Sequence, residues 1–272
     1  MLTRRDVVAL LEARGLTPSR ALGQNFVVDP NTVRKVVHLA AVAPGDPVIE
    51  IGAGLGSLTM ALADAGAEVT TVELDRHLVP VLREVLADTS VRIVEGDART
   101  LDWAALLAGH RRWSLVANLP YNIATPLVAD LLDDVPAIER MLVMVQREAA
   151  ERLAAPPGSK VYGIPSVKVA YWATAEVVAR VSPNVFLPRP NVESALVRIV
   201  RRPAPASDAD PDRLFALVRA GFGQRRKMLR RSLAGLVDAD AFRRAGVAPE
   251  ARAEDLEVEA WGRLADAAAA PS

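Results

Sequence analysis

The stretch "DPVIEIGAGLG", from Asp46 to Gly56, predicts the first strand of the main sheet and the turn that follows it. Its first six residues are mostly apolar, which indicates a buried strand. Three glycines then stand at alternate positions, and "SLTMALADAG" continues as a helical segment that ends near Gly66. A strand, a glycine turn and a helix in direct succession are typical of an open α/β sheet.

The segments that follow repeat this alternation. Further strands are predicted over residues 68–74, 91–98, 112–120 and 139–146, and helical segments follow most of them. This order favours an α/β fold of the Rossmann-like kind, with a parallel sheet and helices on both of its faces. Residues 174–183 and 193–202 predict two more strands without a clear helix between them. That arrangement is compatible with an antiparallel hairpin at the edge of the sheet.

A stretch rich in proline, alanine and aspartate, residues 201–212, predicts a linker between two domains. We expect a large α/β domain over residues 1–203, in which residues 1–45 form an N-terminal helical extension. We expect a small all-α domain over residues 204–272, because the segments after the linker have helical patterns.

Composition excludes several classes of site. The chain of 272 residues has no cysteine, so disulfides, cysteine metal sites and thiol nucleophiles are excluded. Its three histidines lie far apart in sequence, which argues against a histidine metal site or a Ser-His-Asp triad. The N-terminal segment lacks the apolar core of a signal peptide, and no run approaches the ~18 apolar residues of a membrane span. We therefore expect a cytoplasmic monomer without a metal and without a membrane partner.

Carboxylates are predicted at the ends of the second and third strands. Glu73 ends the second strand, where it can accept hydrogen bonds from both hydroxyls of a ribose. Asp97 follows the third, where it can accept from an exocyclic adenine amine. The glycine pattern has Ser57 where a dinucleotide fingerprint has its third glycine, which disfavours NAD. A glycine turn followed by two such acids is the layout of class I S-adenosylmethionine (SAM) methyltransferases.

The stretch "VANLPYNIATP", residues 116–126, places polar residues at the end of the fourth predicted strand. Taken alone, "NLPY" is compatible with a simple proline turn. At the same sheet edge as the two acids, however, the Asn118 amide and the Leu119 carbonyl can both accept hydrogen bonds from one amine, while Tyr121 offers a flat face to a base. Two acceptors outside the ring plane localise the lone pair of an adenine amine, so the pattern favours adenine as the group that is held.

Four separate motifs follow one another along the chain. They are "ALGQNFVVD" (21–29), "NLPYN" (118–122), "VFLPRPNVESALVRI" (185–199) and "GFGQRRKMLRRSL" (221–233). Together they resemble the ribosomal RNA adenine N6-dimethyltransferases of the KsgA type, from about Leu22 to about Leu233. Leu22 and Val27 stand where that family usually has Phe and Leu. Both remain apolar, so we expect altered packing rather than loss of the site.

The resemblance implies the roles of the site residues. For SAM they are Asn25, Val27, Gly52, Gly54, Glu73, Asp97 and Asn118. For the target adenine they are Asn118, Leu119, Tyr121 and Phe186. Tyr121 is implied to stack on the target base, and Phe186 to close over its other face. A single aromatic residue before a proline pair is also compatible with a simple apolar plug.

A basic segment, residues 219–231, has six basic residues and no acidic residue, although the net charge of the whole chain is zero. If the segment is helical, spacings of four residues group Arg226 with Arg230 and Lys227 with Arg231. A run of charge is often only a solvated helix face. The resemblance instead implies contacts with RNA phosphates, made by Arg225, Arg226, Lys227, Arg230 and Arg231.

The implied activity is SAM-dependent dimethylation of N6 of two adjacent adenosines near the 3′ end of small-subunit rRNA, within an assembling small ribosomal subunit. An Erm-type methyltransferase would perform the same chemistry on large-subunit rRNA. A non-catalytic RNA-binding assembly factor, or a transcription factor on the same fold, is an alternative of another class, and the intact Glu73, Asp97 and "NLPYN" argue against it. A methyltransferase acting on protein amines or amides is disfavoured by Phe186 and the basic segment.

Overall fold

The computed structural model describes residues 1–269, which divide into two compact units. Unit 1 comprises Met1–Ala150 and Glu176–Arg201. Unit 2 comprises Glu151–Ala175 and the chain from Arg202 onward. Residues 270–272, which the expected small domain included, lie outside the described residues.

Nine strands are present in the described residues. They are β1 (Phe26–Val27), β2 (Pro47–Ile51), β3 (Glu68–Glu73), β4 (Arg92–Glu95), β5 (Trp113–Asn118), β6 (Ile138–Gln146), β7 (Ala173–Val181), β8 (Phe186–Leu187) and β9 (Ser194–Arg201). Seven of them form one sheet in the order β4-β3-β2-β5-β6-β9-β7, and β1 pairs with β8 in a small antiparallel ladder. Parallel pairing from β4 to β6 confirms the predicted α/β sheet, and β9 runs antiparallel to β6.

The helices of the N-terminal half are α1 (Arg4–Ala13), α2 (Pro30–Ala40), α3 (Ser57–Asp64), α4 (Val79–Val85), α5 (Trp103–Leu106), α6 (Ala124–Asp134) and α7 (Arg147–Leu153). The later helices are α8 (Ile164–Trp172), α9 (Pro211–Gly223), α10 (Leu229–Ser232), α11 (Ala239–Ala245) and α12 (Val258–Ala269). No helix among residues 1–269 is long and apolar enough to cross a membrane.

The core of unit 1 lies around the central parallel strands. Val48 and Ile49 of β2 and Leu115 of β5 are completely buried. Strands covered on both faces have continuous apolar runs, which explains why these segments show no alternation of polar and apolar residues. The predicted strands at residues 174–183 and 193–202 become β7 and β9, which are neighbours at one side of the sheet.

The division of the chain differs from the expected one in residues 151–175. The sequence pattern predicts them as part of the α/β domain, whereas they belong to unit 2. Tyr162, Val167 and Tyr171 are buried in the same apolar cluster as Leu214 and Trp261, which lie on α9 and α12. An apolar face of α8 therefore completes the helical core of unit 2. The pattern of α8 alone does not reveal that partner.

Candidate active site

A cavity of about 250 Å³ opens at the carboxyl ends of the parallel strands of unit 1. This is the edge at which ligands bind in open α/β sheets. The cavity is lined by every residue that the sequence analysis assigns to the cofactor, namely Asn25, Val27, Gly52, Gly54, Glu73, Asp97 and Asn118. The structure therefore brings together residues from four strand ends and from the N-terminal loop.

The glycine turn between β2 and α3 requires glycine for conformational and steric reasons. Gly52, Gly54 and Gly56 have φ angles of +78°, +58° and +87°, in the region that L-residues with side chains rarely adopt. A Cβ on Gly54 would lie 2.9 Å from two carbons of the Phe26 ring. The turn therefore keeps its backbone open toward the cavity while Phe26 packs against it.

Glu73, the last residue of β3, is only 6% exposed. One carboxylate oxygen accepts a hydrogen bond from the Gly54 amide at 2.7 Å, and the other accepts from the Asp75 amide at 2.9 Å. Burial raises the pKa of this carboxyl above its ordinary value, although the two amide bonds oppose the shift. Each oxygen retains a second lone pair, so Glu73 can accept two further donors such as ribose hydroxyls.

Asp97 follows β4 and is bound by an arginine that the sequence analysis does not assign to the site. Arg99 donates to both oxygens of Asp97, from Nε at 3.1 Å and from Nη2 at 2.7 Å. These bonds, with that from the Arg99 amide, lower the pKa of Asp97. Because Arg99 also lines the cavity, a ligand amine that binds Asp97 shares the carboxylate with it.

Glu50 of β2 is a second residue that the sequence analysis does not assign. It is 1% exposed, lines the cavity and accepts a hydrogen bond from the Thr59 hydroxyl at 2.5 Å. Burial raises the pKa of Glu50 from 4.5 to about 7, and the nearby Glu73 charge adds to the increase. The signal was present in the sequence, because Glu50 is a charged residue between two isoleucines of a strand predicted to be buried.

The N-terminal loop, residues 19–25, forms one wall of the cavity. Gln24 ties the loop to the segment after β3, because its Nε2 donates to Asp75 at 2.8 Å while its Oε1 accepts from the Ser19 amide. The loop also contacts the "NLPYN" turn: Asn122 donates to the Ala21 carbonyl at 3.3 Å. Gln24 belongs to the "GQN" motif, but its bond to Asp75, 51 residues away in sequence, follows only from the folded structure.

Asn118 is the last residue of β5 and is fixed by the sheet. It lies opposite Met144 of β6, and the Leu119 amide donates to the Met144 carbonyl at 3.0 Å. The side-chain Nδ2 of Asn118 donates to the Asn25 carbonyl at 2.9 Å. Its Oδ1 is buried and has no hydrogen-bond partner among the residues that the structure describes. An unpaired buried acceptor is costly, so this oxygen is a strong candidate for a ligand contact.

The two aromatic residues implied for the target base have different environments. Tyr121 is partly buried, and its hydroxyl bonds to Ser194 Oγ at 2.6 Å. Phe186 is completely buried in an apolar cluster with Val181 and Leu196. Its ring is covered by apolar neighbours, so contact with a base would require the ring to leave this cluster, and the role of Phe186 at the target base stays a prediction. The apolar plug that its sequence context also allows is what the structure contains.

The basic segment is not one continuous helix, so the predicted grouping by spacings of four is wrong. Helix α9 ends at Gly223, and Met228 is extended before the short α10. Arg225 is held inside unit 2, because it donates to Glu254 at 2.6 Å and to the Lys160 carbonyl at 2.7 Å.

Arg230 pairs with Glu250 at 3.3 Å. Arg226, Lys227 and Arg231 are exposed and form no ion pair with any of residues 1–269. Of the five residues implied to contact RNA, these three therefore present charges that are free for a partner.

Comparisons with known proteins identify the family of the chain. The family model for ribosomal RNA adenine dimethylase matches residues 16–270. A ribosomal RNA small subunit methyltransferase A of Kineococcus radiotolerans is 46% identical over 97% of this chain and 91% of the relative. The protein of the same name from Streptomyces coelicolor is 46% identical over 96% of this chain and 94% of the relative.

Two solved structures are also similar. The 23S rRNA methyltransferase ErmE is 27% identical with a TM-score of 0.68, over 89% of this chain and 99% of that one. A dimethyladenosine transferase from Plasmodium falciparum has a TM-score of 0.73 over 87% of this chain and 94% of that one, and its 23% identity shows the fold alone. With a family model that matches nearly the whole chain, this protein belongs to the ribosomal RNA adenine dimethylase family.

Proposed function

We propose that this protein transfers methyl groups from SAM to N6 of two adjacent adenosines near the 3′ end of small-subunit rRNA, giving N6,N6-dimethyladenosine. Membership of the adenine dimethylase family and the names of the 46% identical relatives support the reaction and the subunit. The observation that carries the residue assignment is the buried, unpaired Oδ1 of Asn118 at the edge of the cavity.

The residues around the cavity fit SAM. Glu73 has lone pairs for the ribose hydroxyls, and Asp97 can accept from the adenine amine beside Arg99. The open glycine turn lets a ligand approach the backbone of Gly52 and Gly54. When bound, SAM supplies an activated methyl group on a sulfonium, so the protein has mainly to position the acceptor.

Asn118 positions that acceptor. Its Oδ1 accepts a hydrogen bond from the exocyclic amine of the target adenine, and the Leu119 carbonyl accepts a second. These bonds lie outside the ring plane and localise the nitrogen lone pair toward the methyl group. The new N–C bond forms as the C–S bond breaks, and the amine loses its proton to solvent, so no strong base is needed.

The same contacts explain why two methyl groups are added. A monomethylated amine retains one N–H, which can still donate to Asn118 Oδ1. A dimethylated amine has no N–H to donate, so no hydrogen bond localises its nitrogen lone pair, which stays delocalised into the ring. The polar contact that holds the target is therefore lost after the second transfer, and the reaction ends at the dimethyl product.

Binding of the RNA is assigned to two kinds of contact. Tyr121 stacks on the extruded target base, and stacking on an aromatic ring is worth ~1–3 kcal/mol per base. Arg226, Lys227 and Arg231 are free to contact phosphates, which supply affinity and orientation but no sequence information. Recognition of the correct adenosines then depends on the shape of the ribosomal particle.

The test uses small and large ribosomal subunits purified from cells that lack these modifications. With radiolabelled SAM, we expect incorporation into small subunits and N6,N6-dimethyladenosine as the product by mass spectrometry. ErmE, at 27% identity, makes large-subunit rRNA the second candidate substrate. Incorporation only into large subunits would support that candidate and overturn the present proposal.

A further inference from the structure

The Asn118 side chain has two chemically different ends of nearly the same shape. Its Nδ2 faces the Asn25 carbonyl at 2.9 Å, and its Oδ1 is buried without a partner among residues 1–269. A carbonyl oxygen can only accept hydrogen bonds. If the amide turned over, its oxygen would face the Asn25 oxygen at hydrogen-bonding distance, which is repulsive. The Asn25 carbonyl therefore selects one orientation of the amide.

We propose that the backbone carbonyl of Asn25 is a positioning group for the reaction: it fixes the Asn118 amide in the one orientation in which the oxygen can accept from the target amine. This inference rests on the proposed function. The N-terminal loop would then have two roles: it lines the SAM cavity, and its Asn25 carbonyl orients the Asn118 oxygen that accepts from the target amine.

The loop is well held for this task. The Asn25 side chain donates to the Gly23 carbonyl at 3.1 Å, and Asn122 donates to the Ala21 carbonyl at 3.3 Å. Gly23 has a φ of +66°, and a Cβ there would lie 3.0 Å from Asn122 Oδ1. The close approach of the loop to the "NLPYN" turn therefore depends on glycine at position 23, and it brings the Asn25 carbonyl within reach of Asn118.

The variant Asn118→Asp isolates this effect because it changes one NH₂ group into an oxygen with almost no change in shape. As a carboxylate, Asp at position 118 would place an oxygen against the Asn25 carbonyl, and the repulsion would displace the side chain. Once protonated, the carboxylic acid can donate to that carbonyl and still present its other oxygen to the target. Without the positioning carbonyl, the carboxylate itself would be a good acceptor for an amine.

The experiment measures kcat of the wild type and of Asn118→Asp on unmodified small subunits between about pH 6 and about pH 8.5. Above its pKa, the protonated fraction of an acid falls about tenfold for each unit by which the pH rises. We therefore expect the ratio of variant to wild-type kcat to rise by about tenfold or more as the pH falls. The cavity carboxylates Glu50, Glu73 and Asp97 are present in both proteins, and their titration largely cancels in the ratio.

The matched control is Asn31→Asp, the same chemical change in an exposed residue of α2 that, among residues 1–269, does not line the cavity and does not contact the N-terminal loop. Its kcat ratio to wild type should be independent of pH. A pH-independent ratio for Asn118→Asp, whether high or low, overturns the proposal. If the wild type itself fails to methylate adenosine, the proposed function fails instead, so the two failures are distinguishable.

A second measurement needs no substitution. In the wild-type protein, NMR of the asparagine side chains should show one Asn118 amide proton that exchanges slowly with solvent and is coupled through its hydrogen bond to the Asn25 carbonyl. Two Asn118 amide protons that both exchange rapidly would contradict the inference even if Asn118→Asp failed to fold.

Discussion

The SAM cavity of unit 1 and the basic segment of unit 2 differ in how well their sequences predict their geometry. At the cavity, all predicted cofactor residues line the pocket, and those that follow strands β2 to β5 lie at the carboxyl edge of the sheet as their positions imply. In the basic segment, two of the five predicted RNA contacts are engaged in ion pairs within the protein. The carboxyl ends of parallel strands converge on one edge whatever the details of packing, whereas a helix face exists only if the helix is continuous.

Tertiary packing interrupts the helix in the basic segment. A Cβ on Gly221 would lie 2.6 Å from a carbon of the Trp261 ring, so the end of α9 is packed closely against α12. Leu229 is completely buried, and its amide donates to the Ala251 carbonyl at 2.8 Å. The Arg230 amide donates to the Pro249 carbonyl at 3.0 Å. These backbone hydrogen bonds to a loop distant in sequence replace the hydrogen bonds of a continuous helix. The local sequence pattern does not predict them.

Among substitutions in the two regions, the largest loss of activity is expected at Asn118, at the edge of the cavity. Asn118→Ala removes the acceptor for the target amine and should lower kcat by about 10²–10³-fold or more, the usual cost of removing one preorganised group in an active site. The affinity for SAM should remain within about tenfold of wild type, because ribose and adenine contacts lie elsewhere. Single-turnover methylation and calorimetry measure the two quantities. Retention of dimethylation by this variant would show that Asn118 is not the acceptor.

Glu73→Ala should lower the affinity for SAM by about 2–3 kcal/mol, because hydrogen bonds to a charged group are worth roughly that much and Glu73 also holds the Gly54 amide. Calorimetric titration with SAM measures the loss. The control is Glu95→Ala on β4, which removes an exposed carboxylate that pairs in register with Glu73 but does not line the cavity. Equal losses in the two variants would mean that Glu73 acts only through general charge.

The raised pKa of Glu50 makes the stability of the folded protein depend on pH. Its folded-state pKa of about 7 lies above the ordinary 4.5, so its contribution to stability is complete below about pH 4.5 and is lost as the pH rises through 7. The shift corresponds to at most about 3 kcal/mol. Glu50→Gln keeps an acceptor for Thr59 but cannot ionise. In ligand-free protein, its advantage in unfolding free energy over wild type should therefore grow between about pH 5 and pH 8. Chemical denaturation at several pH values measures this difference, and a constant difference would argue against the raised pKa.

The smallest effects are expected in the basic segment. Replacing Arg226, Lys227 and Arg231 together by alanine should weaken binding to small subunits about tenfold and reduce its dependence on salt, because fewer phosphate contacts release fewer counterions. The matched control, Arg225→Ala, removes the ion pair to Glu254 and should instead lower the thermal stability. Filter binding over a range of salt concentrations measures the affinity of each variant for small subunits, and thermal denaturation measures the stability of Arg225→Ala. An unchanged salt dependence in the triple variant would mean that these cations do not contact RNA.

Most of the fold and of the cofactor cavity could be predicted, because strand order and the glycine turn determine both. Three features could not. The burial of Phe186 depends on the pairing of β8 with β1, two segments distant in sequence. The Arg99–Asp97 pair depends on side-chain conformation. The assignment of α8 to unit 2 depends on which apolar face it packs against. The first and third depend on partners distant in sequence, and the second on a side-chain conformation that the sequence pattern does not specify.

The decisive measurement is mass spectrometry of ribosomal RNA from a strain in which the gene for this protein is deleted. Small-subunit rRNA should lose N6,N6-dimethyladenosine near its 3′ end, regain it when the wild-type gene is restored, and remain unmodified when the Asn118→Ala gene is supplied instead. Persistence of the dimethyladenosines in the deletion strain, or their restoration by Asn118→Ala, would contradict the proposed reaction and the role of Asn118 in it.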